Sequence, residues 1–161
     1  MQNITRNTQG SYRERLTPSL WTFVAAAVVA PMAALVFAPL DAVVALVVGV
    51  LVAIAVITLL VASSPVVEVK DGWLHAGRAR IDARFLGETA VHVGEDARQQ
   101  RGPLLDSRSW HVIRGGIDAV VVVALQDPDD PVPSWVVSTR TPDRLAAAVR
   151  RAAAMQRTPG R

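Results

Sequence analysis

Two long apolar runs lie next to each other near the start of the chain. They cover residues 20–38 and 42–62, and neither contains a charged residue. About 20 apolar helical residues cross a bilayer core of about 30 Å, so each run has the length of a membrane span. Only Pro39, Leu40 and Asp41 separate the runs, which predicts a transmembrane helical hairpin. A cleaved signal peptide is the alternative for the first run, but such a peptide has a shorter apolar core.

Small residues recur every four positions in both runs. They are Ala26, Ala30 and Ala34 in the first run, and Ala45, Gly49 and Ala53 in the second. This spacing places small side chains on one helical face and favours close packing of two helices in lipid, although alanine-rich runs also produce it by chance. Pro31 lacks a backbone donor, and we expect a kink of the first span near Ala27.

After residue 64 the pattern changes to short segments that are typical of β-strands. The predicted strands cover residues 66–70, 73–76, 78–82, 89–93, 110–113, 119–125 and 135–138. Asp71-Gly72 has the composition of a tight hairpin turn between the first two of them. The run 119–125 is so uniformly apolar that we expect it to be buried on both faces. The polar segment 95–107 is interpreted as a loop that can contain one helical turn.

An amphipathic helix is predicted near the end of the chain. Thr141, Pro142 and Asp143 have the composition of a helix N-terminus. We expect the helix to run to about residue 155, with one apolar face formed by Leu145, Ala148, Val149 and Ala152. Residues 156–161 are interpreted as a disordered tail, and residues 1–19 as a polar N-terminal tail.

Together these elements predict a membrane α-helical hairpin followed by a small α+β domain at residues 65–155. About seven antiparallel strands and one C-terminal helix resemble the pleckstrin-homology-like fold, in which a helix caps a β-barrel or bent sheet. This step is a fold-level analogy and carries no function by itself.

The distribution of cations predicts how the hairpin is oriented. Arg6, Arg13 and Arg15 precede the first run, and Lys70, Arg78 and Arg80 follow the second, whereas the connection carries Asp41 and no cation. Because cytoplasmic flanks of membrane spans are rich in Lys and Arg, both termini are predicted to be cytoplasmic, in a multi-pass protein of the inner membrane.

The same arginines suggest a lipid-docking surface. Arg78 and Arg80 are two residues apart and share a face if both lie in a strand, and Arg13 and Arg15 lie near the first span. Anionic headgroups attract each such side chain with about 1 kcal/mol. The alternative is that these arginines only set topology on an ordinary solvated face.

Sequence motifs give little support for catalysis. The chain has no cysteine, which excludes disulfides and thiolate sites, and its net charge of +3 does not by itself indicate nucleic-acid binding. His75, His92 and His111 are far apart in sequence, and the prolines at 128 and 131 break any resemblance of residues 127–130 to a calcium loop. We find no nucleophile elbow, zinc helix or phosphate loop. The chain is therefore predicted to be non-enzymatic and to hold no cofactor.

Several short stretches resemble one uncharacterised family. They are residues 12–16 (YRERL), 64–69 (SPVVEV), 76–81 (AGRARI), 101–103 (RGP) and 135–140 (WVVSTR). The family consists of actinobacterial two-span membrane proteins with a domain of unknown function. The resemblance covers residues 12 to about 153 and implies the topology, but it implies no activity and no catalytic residues.

The preferred hypothesis is a membrane protein that presents a small cytoplasmic domain to a protein partner or to anionic lipid. Its strand edges and the groove beside the C-terminal helix are the predicted peptide-binding surfaces. Two alternatives remain: a subunit of a small oligomeric channel or transporter, and a lipid-binding carrier or enzyme with its site at the barrel mouth.

Overall fold

The computed structural model describes residues 11–157, which form eight strands and four α-helices. The helices are α1 (Leu20–Phe37), α2 (Ala42–Ala62), α3 (Gly94–Arg101) and α4 (Pro142–Arg157). The strands are β1 (Tyr12–Arg15), β2 (Val66–Lys70), β3 (Trp73–Ala76), β4 (Ala79–Asp82), β5 (Leu86–His92), β6 (Trp110–Val112), β7 (Val120–Leu125) and β8 (Ser134–Ser138). Two compact units result: residues 17–64 form the helical hairpin, and residues 11–16 with 65–157 form what we call the β-rich unit.

Both hairpin helices are long and apolar enough to cross a membrane. α1 has no buried side chain and Ala45 is the one buried residue of α2, so neither helix lies in a core formed by the described residues. The two helices lie side by side. The six small residues predicted to pack are all partly or fully buried: Ala26, Ala30, Ala34, Ala45, Gly49 and Ala53.

The connection between the helices is closed by a side-chain cap. Oδ1 of Asp41 accepts hydrogen bonds from the backbone N–H groups of Val43 and Val44 at 2.7 and 3.0 Å. Two of the donors that a helix N-terminus leaves unpaired are thereby satisfied. α1 remains helical through Pro31.

The N-terminal segment differs from the sequence-based interpretation, which assigned no strand to residues 1–19. Tyr12–Arg15 form β1, which pairs antiparallel with β2. Leu16 follows with no exposed surface, and its N–H donates to the carbonyl of Pro65 at 2.9 Å. The strand was missed because its pairing partner lies about 50 residues away, beyond the hairpin. Residues 1–10 lie outside the described part of the chain.

Sheet A has the strand order β1-β2-β3-β4, and two tight turns set its register. Asp71 and Gly72 both have positive φ, 50° and 81°, as a type I′ hairpin turn requires, and Lys70 pairs with Trp73 across it. Gly77 has φ 65° at the first position of the next turn, where Ala76 pairs with Ala79. Positive φ at the first central residue is the mark of a type II′ turn.

Sheet B has the order β5-β7-β8-β6, with β6 parallel to β8 and the other pairs antiparallel. β7 is covered on both sides, as its uniform apolar sequence predicts. Val121 and Val123 face the main core, whereas Val120 packs with Ala97 and Val136 in a second cluster.

Ala97 belongs to α3, so the segment 95–107, interpreted as a loop with room for one helical turn, begins instead with a helix of eight residues. Glu95 and Asp96 occupy the first turn of this helix and Arg98 and Arg101 its last turn, as the helix dipole favours. The helix has one buried side chain, so the sequence shows no apolar periodicity that could have revealed it.

The β-rich unit is built from two separate four-stranded sheets, so of the two predicted forms, a β-barrel or a bent sheet, the closed barrel is not formed. After β4 the chain makes a single 3₁₀ turn at Ala83–Phe85, where the N–H of Ala83 donates to the carbonyl of Gly72. This turn carries the chain into the second sheet, so β4 does not continue as a hydrogen-bonded neighbour of β5. Both sheets and α4 nevertheless bury their apolar faces in one shared core.

α4 closes this core with the predicted face. Leu145, Ala148, Val149 and Ala152 are buried, together with Ala146 and Ala153. The helix begins at Pro142 as predicted and reaches Arg157, two residues beyond the expected end. Of the disordered tail predicted at 156–161, residues 156 and 157 belong to α4, which corrects that part of the prediction, and residues 158–161 lie outside the described part of the chain.

Candidate functional site

The outer face of sheet A carries three of the four arginines singled out from the sequence. Side chains alternate along β1, so Tyr12 and Glu14 are partly buried while Arg13 and Arg15 are exposed. The register then aligns Arg13, Glu68, His75 and Arg80 in one row across the four strands. Arg13 and Arg80 therefore share a face without being neighbours, because an acid and a histidine lie between them.

Arg78 lies in the turn that precedes β4, so the expectation that it shares a strand face with Arg80 was wrong. The two-residue turn begins at Gly77, and the alternation of strand side chains starts only at Ala79. Arg78 instead lies at the end of sheet A where Arg15 pairs with Val66. This is the end at which β1 and β2 continue towards the two apolar helices in the sequence.

The opposite end of sheet A has an aromatic side chain. Trp73 pairs with Lys70 and Asp82, and its ring is 39% exposed. The guanidinium of Arg80 lies over this ring, 5.5 Å from its centroid, a geometry typical of a cation–π contact. Trp110 and Trp135 instead contact each other, with ring centroids 6.4 Å apart, and Trp110 Nε1 donates a hydrogen bond to the carbonyl of Ala76.

A groove of about 760 Å³ lies between β1 and the first half of α4. We call it the β1–α4 groove; it is lined by Ser11, Tyr12, Arg13, Glu14, Arg140, Thr141, Asp143, Arg144, Ala147, Ala148 and Arg151. Four of these side chains are cationic and two are anionic. Its volume lies in the range of small-ligand sites.

A polar cluster joins β1 to the start of α4 at one end of this groove. The carboxylate of Glu14 accepts hydrogen bonds from the hydroxyls of Tyr12 and Thr139 at 2.5 Å. It also accepts one from the backbone N–H of Arg140 at 3.0 Å. The Tyr12 hydroxyl lies 2.9 Å from the hydroxyl oxygens of Thr139 and Thr141. Thr139 has no exposed surface, so these bonds satisfy groups that would otherwise be buried unpaired.

The environment of Tyr12 keeps its phenol protonated. Burial raises the pKa of Tyr12, and its hydrogen bond to Glu14 acts in the same direction. At neutral pH the hydroxyl is therefore a donor to the carboxylate, and the cluster holds β1 in place rather than supplying a base.

The other candidates from the sequence are not brought together. His75 lies on β3 in sheet A, whereas His92 and His111 lie on β5 and β6, the two opposite edges of sheet B. Residues 11–157 contain no group of three His, Asp or Glu side chains suited to a metal ion. Asp127 and Asp130 accept hydrogen bonds from the N–H groups of Asp129 and Val132 and so shape their own loop.

The groove beside the C-terminal helix was anticipated, but its strand wall and the Glu14 cluster were not. One signal was present in the sequence: Tyr-Arg-Glu-Arg alternates in the way of a half-buried strand. Four residues are too few to distinguish such a strand from a polar tail.

Comparison with known proteins places the chain in one family. The family DUF3093, described as a protein of unknown function, matches residues 11–149, and the chain belongs to it. The matched region includes β1 and the first half of α4. No curated protein and no solved structure gives a match.

Proposed function

We propose that this member of the DUF3093 family is a two-span membrane protein that holds its β-rich unit at the cytoplasmic face of the cell membrane as a non-enzymatic binding module. The observation that supports this is the exposure of the hairpin. Large apolar side chains are exposed along both helices, from Leu20 and Trp21 to Leu59 and Val61. Lipid is the solvent that would cover such a surface without cost.

The arginines of sheet A support the cytoplasmic orientation. Arg15 and Arg78 lie at the end of the sheet from which the chain continues towards the helices, and Arg13 and Arg80 lie one row further along. Only four residues separate Arg15 from α1, a reach of at most about 18 Å. Cations at this distance from a span favour the cytoplasmic side and attract anionic headgroups.

The pleckstrin-homology-like comparison remains part of the proposal in a reduced form. What supports it is that two four-stranded sheets and a C-terminal helix bury one shared core, although the sheets do not close into a barrel. The comparison is an analogy of architecture and assigns no ligand.

Topology can be tested with single cysteines, because the native chain has none. In spheroplasts, a membrane-impermeant maleimide is expected to label Leu40→Cys at the hairpin connection and not Gln99→Cys on α3. Both positions are exposed, so accessibility within the protein does not limit either reaction. After permeabilisation, both variants are expected to react.

Two results would contradict this topology. Labelling of Gln99→Cys in intact spheroplasts would place the β-rich unit outside the cell. Labelling of neither cysteine before permeabilisation would exclude a connection that reaches the outer surface.

Docking on anionic lipid is a separate expectation. In nanodiscs of phosphatidylglycerol, the backbone amides of residues 76–80 are expected to exchange with deuterium more slowly than in phosphatidylcholine. Arg78→Gln with Arg80→Gln is expected to remove this difference. Losing two surface cations costs about 2 kcal/mol of headgroup attraction, or about 30-fold in the docking equilibrium.

The matched control removes two charges elsewhere. Arg98 on α3 and Arg150 on α4 are exposed, and neither lies in sheet A. Arg98→Gln with Arg150→Gln should therefore leave the lipid-dependent protection unchanged. Equal loss of protection from deuterium exchange in both double variants would show that the response to anionic lipid depends on net charge alone and not on the arginines of sheet A.

A further inference from the structure

The walls of the β1–α4 groove differ in what they offer a ligand. β1 is the terminal strand of sheet A, with β2 as its one neighbour in the sheet order. α4 contributes Arg144 and Arg151, both exposed, with Ala147 and Ala148 between them. One side of the groove is therefore a strand edge. On the other side, the small side chains of the two alanines leave room between the arginines. Such a channel is suited to an extended chain.

The charges of the groove favour an acidic ligand. Arg13, Arg144 and Arg151 have no ion-pair partner within residues 11–157. Of the two acids in the groove, Glu14 is occupied by the hydroxyls of Tyr12 and Thr139 and by the backbone of Arg140. Asp143 is the other acid, and it does not balance the arginines.

The spacing of the cations favours a peptide over a single anionic group. Arg144 and Arg151 are seven residues apart on α4, which is two helical turns and about 10.5 Å along the axis. In an extended chain with a rise of about 3.3 Å per residue, two side chains four residues apart share one face and are separated by about 13 Å, a spacing that the long arginine side chains can reach. One phosphate or carboxylate group cannot span this distance.

We propose that the β1–α4 groove binds an extended acidic segment of a partner protein, whose carboxylates pair with Arg144 and Arg151. The neighbouring segment of this chain does not fit the role, because residues 1–10 contain Arg6 and no acid. The groove shares Arg13 with the outer face of sheet A, but the two arginines that pair with the ligand lie on α4, so peptide binding does not require lipid docking at sheet A.

The test uses the full-length chain in neutral maltoside micelles, which contain no anionic lipid. The probe is a fluorescein-labelled octapeptide of valine and threonine with two glutamates four residues apart, which share one face of an extended chain. The comparison peptide has glutamine at both positions. Fluorescence anisotropy is expected to show binding of the glutamate peptide that weakens as salt is raised. The glutamine peptide is expected to bind much more weakly.

Variants on α4 locate the binding. Arg144→Gln with Arg151→Gln is expected to weaken binding about tenfold, as for the loss of two charge-assisted contacts near a surface. Arg150→Gln is the charge-matched control for each of the single variants Arg144→Gln and Arg151→Gln, because Arg150 is exposed on the same helix and lies outside the groove. All three side chains are exposed, so equal thermal unfolding of the variants is expected and shows that the fold is retained.

Three outcomes would overturn the proposal. Equal weakening by Arg150→Gln would reduce the effect to net charge, and equal binding of the two peptides would exclude recognition of carboxylates. Displacement of the peptide by micelles doped with phosphatidylglycerol, with loss of that displacement in the Arg144/Arg151 variant, would make a lipid headgroup the occupant. None of these results bears on the labelling test of topology, so the two proposals fail separately.

Discussion

Glu14→Ala is expected to lower the free energy of unfolding of the β-rich unit by about 3 kcal/mol. The side chain of Glu14 is only 14% exposed, and three groups of the protein donate to it. Its removal leaves Thr139 and Tyr12 with fewer partners and the backbone N–H of Arg140 without its acceptor. A hydrogen bond to a charged acceptor contributes about 1.5–3 kcal/mol. Donors that stay buried without this acceptor also carry the cost of their desolvation.

The same substitution should loosen β1 more than the rest of the unit. Together with Tyr12, Glu14 joins β1 to the segment between β8 and α4, in addition to the pairing of β1 with β2. Deuterium exchange is therefore expected to rise first at residues 12–16. The groove loses its strand wall in this state, so binding of the acidic octapeptide should fall although no arginine has changed.

Unfolding can be followed by tryptophan fluorescence of the full chain in micelles. Trp73, Trp110 and Trp135 lie in the β-rich unit, and Trp21→Phe removes the signal of the hairpin. Glu88→Ala is the control, since Glu88 is an exposed glutamate on β5. A Glu14→Ala variant as stable as Glu88→Ala would show that the cluster does not hold β1.

Gly49→Leu is expected to separate the two apolar helices. A Cβ at position 49 would lie 3.1 Å from the Cβ of Ala34 and 3.5 Å from the carbonyl oxygen of Ala30. A leucine adds three further carbons in this direction, towards the backbone of the facing helix. Overpacking of this kind costs about 1–3 kcal/mol, and in lipid there is no hydrophobic force to hold the helices together against it.

Spin labels at Val28→Cys and Leu51→Cys would report the separation, because both positions are exposed on the hairpin. The distance between the labels is expected to increase by about 2 Å or more, since helices that pack through larger side chains have axes roughly 8–10 Å apart. Ala55→Leu, at an exposed position of α2, should leave the distance unchanged. An unchanged distance in Gly49→Leu would mean that the helices do not pack through this face.

The fold of the β-rich unit was predictable where a local pattern is sufficient. The Asp71-Gly72 turn needs positive φ at both residues. Asp-Gly is a pair that type I′ turns favour, so the sequence alone predicts this turn. The apolar run of β7 and the helix start at Pro142 also depend only on neighbouring residues, and both elements lie where the sequence predicted them. By contrast, α3 buries one alanine, and a helix with a single buried position has no periodicity to detect.

The candidate site was predictable only in part. The basic residues could be named from the sequence. The face on which each side chain lies depends on the residue at which the strand begins, and because of the turn at Gly77, β4 begins after Arg78. Glu14 meets Thr139 across 125 positions of sequence, and no local signal encodes such a contact.

The sequence by itself determined the helical hairpin, the tight turns and the terminal helix, because apolar length, turn composition and helical periodicity are properties of neighbouring residues. Tertiary structure alone decided that the segment before the first apolar helix is a strand. Tertiary structure also separated the strands into two sheets and paired β6 in parallel with β8. It aligned the arginines of α4 with β1 to form the groove. Each of these features is a pairing between distant segments, and its free energy comes from surfaces that exist only after the chain has folded.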